Sequence, residues 1–196
     1  MNVLFRHCGL GILLISVFLL GCTQSAEHYS PKIQAIKSYQ EKRVINGSLF
    51  IDESFVVSPA PQGAEQLKYL AKLISKQSEG IFKKHIPFYN DVSIEYQFYE
   101  KTDVINEDFS DIYDSWDSIM ISPDSGETPL MLNEVAKNNQ LISVHLSKAT
   151  LSKDAKCRFL LSTEIKHHYW IFGATSELFM EKIDDRSCSE WTGWKW

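Results

Sequence analysis

The sequence predicts a single α+β domain in which two to four helices pack on one face of a mostly antiparallel sheet. Of its 196 residues, 44% are apolar and 23% are charged, the balance of an ordinary globular chain. Residues 91–100 and 141–147 alternate apolar and polar side chains, which is typical of strands with one buried and one solvated face. Residues 67–83 instead repeat apolar side chains with a helical period.

Before the first alternating strand we expect a helix, a strand and a second helix. Ser30-Pro31 joins a capping hydroxyl to a proline suited to a first helical turn, and apolar residues at helical spacing follow as far as Val44. Asn46-Gly47 then either ends this helix or turns a hairpin, and we favour the helix end. Residues 48–57 are rich in strand formers. The second helix stops at Pro87, and its predicted buried positions are Leu67, Leu70, Ile74 and Ile81.

The remaining elements follow from weaker patterns. Between the alternating strands we expect a helix over residues 108–116, a short apolar segment at 119–121 and a helix around 129–137. Residues 158–183 fit either helices or strands. Because aromatic and β-branched residues dominate there and Gly173 offers a turn, we predict strands.

The N-terminus has the pattern of an export signal. Arg6 precedes an apolar run at residues 10–20, which at about 1.5 Å per residue covers about half of a bilayer's hydrocarbon core. The run is too short to span a membrane as a helix, and it is typical of a secretory signal.

The segment Leu19-Leu20-Gly21-Cys22 resembles the lipobox of bacterial lipoproteins. The resemblance covers residues 1–23 and implies that the leader 1–21 is removed and that Cys22 carries fatty acyl chains such as palmitate. Each buried methylene contributes about 0.8 kcal/mol, so several chains would hold the protein on a membrane. Lipoproteins that enteric-type bacteria retain in the inner membrane usually have Asp after the acylated cysteine. By resemblance to that sorting rule, Thr23 implies the periplasmic face of the outer membrane, with the inner membrane or the cell surface as alternatives. Residues 22–30 would form a tether and residues 31–196 the domain.

The charge argues against a nucleic-acid partner. The chain has 20 basic and 25 acidic residues, and loss of Arg6 with the leader would change the net charge from −5 to −6. Affinity for nucleic acid depends on lysine and arginine side chains, which neutralise phosphates and so release the counterions bound to them. The sequence has no phosphate loop, dinucleotide fingerprint or nucleophile elbow, and we expect neither a cofactor nor a catalytic activity.

The cysteines predict one disulfide. Cys8 would leave with the leader and Cys22 would be acylated, which leaves Cys157 and Cys188 as a pair in an oxidising compartment. We therefore expect these two to be bonded, which contributes about 3 to 4 kcal/mol in the chain-entropy description. A free catalytic thiol is the alternative.

Residues 102–136 contain nine acidic residues and no lysine or arginine. They predict either a solvated acidic helix or a docking surface for a basic protein, with Asp108, Asp111 and Asp114 as candidate binding residues. A calcium loop is a third alternative, although its pattern of alternating acids, central glycine and terminal glutamate is absent.

Two further groups of residues have ligand chemistry. Glu164, His167 and His168 would share one side of a helix and could bind a metal ion there, whereas on a strand the two histidines point to opposite faces. We therefore expect no metal. Three tryptophans near the C-terminus either cover the sheet, held by the disulfide, or form a platform for sugar rings or a protein. They are Trp191, Trp194 and Trp196.

These features predict a non-catalytic protein that is anchored to a membrane by lipid and binds a protein partner with a basic surface. The first alternative is a glycan or peptidoglycan binder that uses the tryptophans. The second is a metal-dependent hydrolase around Glu164, His167 and His168.

Overall fold

The computed structural model describes residues 28–110, 134–151, 156–169 and 173–196. In these residues six strands form one sheet whose spatial order follows the chain. The strands are β1 (Lys32–Ile45), β2 (Ser48–Ser58), β3 (Asp91–Glu100), β4 (Gln140–Thr150), β5 (Cys157–Tyr169) and β6 (Gly173–Asp184). The helices are α1 (Ala64–His85), a 3₁₀ turn (Ile86–Phe88) and α2 (Glu134–Asn139).

The sheet is mixed. Four neighbouring strand pairs are antiparallel, and β2 pairs with β3 in parallel through a crossover that contains α1. The α+β class is therefore confirmed, but the number of helices on one face is lower than predicted. Among the described residues, α1 and Ile86 of the short 3₁₀ turn that follows it pack on that face, while α2 contacts the opposite face through Ala136.

Residues 32–45 form a strand, so the predicted first helix was wrong, and Asn46-Gly47 turns a hairpin. Both turn residues have positive φ, 51° and 83°, as a tight two-residue hairpin requires. β1 is an edge strand exposed over most of its length, so its side chains show no two-residue alternation. A bulge shifts the pairing register between Ala35 and Gln40, so the side chains before and after it do not keep one two-residue alternation. The apolar residues of β1 are therefore spaced as they would be in a helix.

The other predicted elements within the described residues are confirmed in type. The strands at 48–57, 91–100 and 141–147 and the helix before Pro87 are present, and residues 158–169 and 173–183 lie in β5 and β6. Ile81 was predicted to be buried but is 42% exposed, whereas Phe82 is buried. Steps of four residues from Leu70 and Ile74 lead to Phe82, which places Ile81 on the solvent side of α1.

The predictions between β3 and β4 fall mostly on residues that the structure does not describe. Asp108 lies in a turn, residues 111–133 lie outside the described ranges, and α2 begins at Glu134. The leader, the lipobox and most of the tether, residues 1–27, also lie outside them. Within the described part, no helix has both the length and the apolar character needed to cross a membrane.

The main core lies between α1 and the sheet face that we call the helix face. Ile94, Val144 and Phe159 from three neighbouring strands are fully buried there and pack with Ile74 and Phe82 of α1. Burial of apolar area of this kind contributes about 25 cal/mol per Å², and it fixes the position of α1 on the sheet. The opposite side, which we call the open face, is covered at one end by a smaller cluster. Its buried members are Ile36, Val56, Tyr99, Ile105 and Ala136.

Candidate functional site

The C-terminal tail, residues 185–196, is fastened to the helix face. Cys157 and Cys188 form a disulfide, as predicted, with Cα atoms 5.0 Å apart. Next to it, Trp191 stacks on Phe159 and meets Phe82 edge to face, with ring centroids 4.6 Å and 5.5 Å away. The tail thus completes the core on this side of the sheet.

The three predicted tryptophans differ in exposure. Trp191 and Trp194 are each 8% exposed and contact each other edge to face, whereas Trp196 is 41% exposed. Trp196 donates its indole N–H to Glu79 of α1, and the Lys182 ammonium lies 4.2 Å from its ring centroid. Because two of the rings lie in the core, Trp196 is the one of these three tryptophans that is open to stacking on a sugar ring in this conformation.

The predicted acidic residues are only partly described. Asp108 forms an ion pair with Lys37, with Nζ and Oδ1 2.6 Å apart, and both side chains are 72% exposed. Such an exposed pair contributes little to stability. Asp111 and Asp114 lie outside the described residues.

The structure separates the residues of the predicted metal cluster. Glu164 and His167 lie on β5, an odd number of residues apart, so their side chains leave opposite faces of the sheet. Glu164 pairs with Lys166 at 3.5 Å, and His167 Nε2 lies 3.0 Å from Glu177 Oε2. The side chain of His168 is outside the described set. Among the described residues, no three His, Cys, Asp or Glu side chains are grouped so as to hold a metal ion.

The open face carries a polar feature that runs across all six strands. One residue from each strand lies directly opposite its neighbour in the register, and four of the six are carboxylates. We call these residues the carboxylate row: Glu41, Asp52, Glu95, His145, Ser162 and Glu181. All six are exposed or half-buried, so the row is accessible to solvent.

Charge along the carboxylate row is unevenly compensated. Arg43 forms ion pairs with Glu41 and Asp52, at 3.2 Å and 2.9 Å. Within the described residues, no cation forms an ion pair with Glu95 or Glu181. Glu95 instead accepts a hydrogen bond from the Gln97 amide. Asp52 and Glu95 are directly opposite on parallel strands, and like charges in this arrangement repel each other.

Two shallow clefts flank Glu95 and share it with Gln97. One, of about 250 Å³, extends towards β1 and β2 and is lined by Tyr39 and Asp52. The other, of about 360 Å³, extends towards β4 and β5 and is lined by His145 and Glu164. The open face therefore presents polar grooves centred on an uncompensated carboxylate.

The sequence did not identify the carboxylate row as a site. The alternation of residues 91–100 and 141–147 places Glu95 and His145 on the solvated sides of their strands, whereas Glu41 lies on β1, whose sequence shows no such alternation. Their alignment depends on the order and register of six strands, which the pattern of one strand does not specify.

Comparison of the chain with protein-family models, with curated proteins and with solved structures gives no match.

Proposed function

We propose that this chain is a lipid-anchored envelope protein, held at the periplasmic face of the outer membrane, that binds a basic protein partner without catalysing a reaction. The export leader and the lipobox at Cys22 support the location. The disulfide between Cys157 and Cys188 is in keeping with an oxidising compartment.

The observation that carries the binding proposal is the carboxylate row. A lysine or arginine from a partner would pair with Glu95 and relieve its repulsion with Asp52. The two clefts are shallow and lined mainly by polar side chains, which suits a protein better than a small ligand, since small-molecule sites are largely apolar. The net charge, −6 once Arg6 is lost with the leader, would also speed the approach of a basic partner.

Site-specific photo-crosslinking in the cell envelope tests this proposal. A photoreactive residue at Ser143, which lies beside Glu95 on the open face, should crosslink a protein with a basic surface. The same residue at Lys72, on the exposed side of α1, should not. The crosslink at Ser143 should weaken as salt is raised, because charge attraction across a solvent-exposed interface is screened.

A pair of charge reversals serves as the control. Glu95→Lys should abolish the Ser143 crosslink, whereas Glu65→Lys, the same change in the first turn of α1, should leave it intact. Equal crosslinking at Ser143 and Lys72 would contradict the proposal. So would a Ser143 crosslink that neither salt nor Glu95→Lys reduces.

A further inference from the structure

A cavity of about 710 Å³ lies on the helix face, away from the carboxylate row. The end of α1, the 3₁₀ turn and the tail meet the end of β4 around it. Its size is within the range of small-molecule sites. Its walls include Lys148, Phe88, Tyr89 and Trp191, with Cys188 of the disulfide at its edge.

Lys148 places a buried positive charge at this cavity. The residue is 5% exposed, and its Nζ donates to the carbonyl oxygens of Tyr89, at 2.8 Å, and Ile86, at 3.5 Å. An ammonium has three N–H donors, so one remains available. Removal from solvent lowers the pKa of this ammonium, and the Asp91 carboxylate offsets part of that effect.

The charge of Lys148 lacks a direct counterion in the described part of the chain. Asp91 acts on it only at longer range, and the Asp91 carboxylate accepts hydrogen bonds from the Thr150 N–H and the Ser48 hydroxyl. The other lysine at the cavity, Lys83, forms an ion pair with Glu79. A buried cation without an anionic partner is unfavourable, so the cavity is suited to a ligand that supplies the anion.

Aromatic rings supply the rest of the site. Phe88 lines the cavity, yet its side chain is 77% exposed. Tyr89 and Trp191 add two more aromatic rings to the cavity wall. A large ring at the mouth of a cavity gains burial when a ligand covers it. The walls therefore suit the apolar body of a ligand whose anionic group is at Lys148.

We propose that this cavity binds a small organic anion, with a carboxylate paired to the Lys148 ammonium and an apolar body packed against Phe88, Tyr89 and Trp191. The cavity and the carboxylate row share no residue. The two proposals can therefore fail independently.

A structural role is the competing explanation for Lys148, because its two hydrogen bonds also fix the chain between Ile86 and Tyr89. Ligand binding separates the two explanations. The probe is 3-phenylpropionate, added to the full-length protein in a nonionic detergent, and NMR follows the backbone amide shifts of the residues around the cavity that carry an N–H. These residues are Ile86, Phe88, Tyr89, Asn90 and Lys148. The uncharged analogue 3-phenylpropanamide is the matched ligand control.

We expect saturable shifts with 3-phenylpropionate and an affinity at least about tenfold weaker for the amide. Lys148→Met keeps the apolar stem and should weaken 3-phenylpropionate binding by about tenfold or more. Phe88→Ala removes an exposed ring and should weaken it severalfold without loss of the fold. Lys72→Met, on the solvent side of α1, should leave the affinity unchanged.

Four results would overturn the proposal. They are the absence of saturable shifts with 3-phenylpropionate, equal binding of the acid and the amide, unchanged affinity in a folded Lys148→Met protein, and unchanged affinity in Phe88→Ala. If Lys148→Met does not fold, the amide comparison and Phe88→Ala still decide the question.

Discussion

Trp191 stacks on Phe159, with ring centroids 4.6 Å apart and ring planes 9° apart. This contact joins the C-terminal tail to β5, since Phe159 lies on β5 two residues after Cys157 of the disulfide. Both rings are buried, so the tail is part of the core.

Trp191→Ala should therefore destabilise the whole domain. Loss of a buried aromatic ring leaves a cavity and typically costs about 3 to 5 kcal/mol. Urea unfolding followed by circular dichroism measures the change in the free energy of unfolding. Trp196→Ala should cost much less, because that ring is 41% exposed. Equal losses in the two variants would show that Trp191 does not have the structural role described.

Loss of the disulfide should lower the free energy of unfolding, because the bond restricts the conformations of the unfolded chain. The bond links residues 31 apart in sequence, and a closed loop of this size contributes about 3 to 4 kcal/mol. The double variant Cys157→Ala/Cys188→Ala should lose this amount in urea unfolding. Wild-type protein treated with a reductant should show a similar loss, and an unchanged midpoint after complete reduction would contradict the expectation.

Two glycines should respond in opposite directions to alanine. Gly47 has φ 83° in the β1–β2 turn, and an added Cβ would lie 3.0 Å from the Asn90 side chain. Gly47→Ala should therefore cost about 1 to 2 kcal/mol. Gly80 lies within α1 with no atom within 4 Å of an added Cβ, so Gly80→Ala should stabilise by about 0.5 to 1 kcal/mol. Thermal unfolding of the two variants measures both effects, and a Gly47→Ala protein as stable as wild type would contradict the hairpin turn.

Lys148 should make stability depend on pH. Burial lowers its pKa in the folded state, so between that value and the ordinary lysine value the unfolded chain binds more protons. The destabilisation by the buried charge is complete below the folded-state pKa and is relieved as pH rises through it. From neutral pH to about pH 10, the free energy of unfolding should thus rise more steeply for wild type than for Lys148→Met. Parallel slopes in urea unfolding would show that this ammonium is not desolvated.

Elements with one buried and one solvated face could be predicted from sequence, because the order of their apolar and polar residues follows which side chains are buried. Residues 91–100 alternate in sequence, and β3 has Val92, Ile94 and Tyr96 buried on the helix face. β1 has no such order of apolar and polar residues. It is an edge strand with a bulge, it is exposed on both sides, and Ile36 is its one buried residue. Local sequence therefore could not distinguish it from a helix.

The candidate sites depend on contacts between residues that are distant in sequence. The carboxylate row joins Glu41 to Glu181 through five strand pairings, each with its own register. The cavity joins Lys148 to Phe88 and Trp191 only after α1 and the tail have packed on the sheet. The pairing of Cys157 with Cys188 could be predicted, because assigning Cys8 to the leader and Cys22 to acylation left two thiols for one bond.

The proposed location of the protein depends on acylation at Cys22. Intact-mass and peptide mass spectrometry of the protein purified from membranes tests this most directly. We expect a chain that begins at Cys22 and carries the added mass of its fatty acyl chains, and Cys22→Ser should abolish both the cleavage and the added mass. A mature protein with an unmodified Cys22, or with residues 1–21 still attached, would contradict the account.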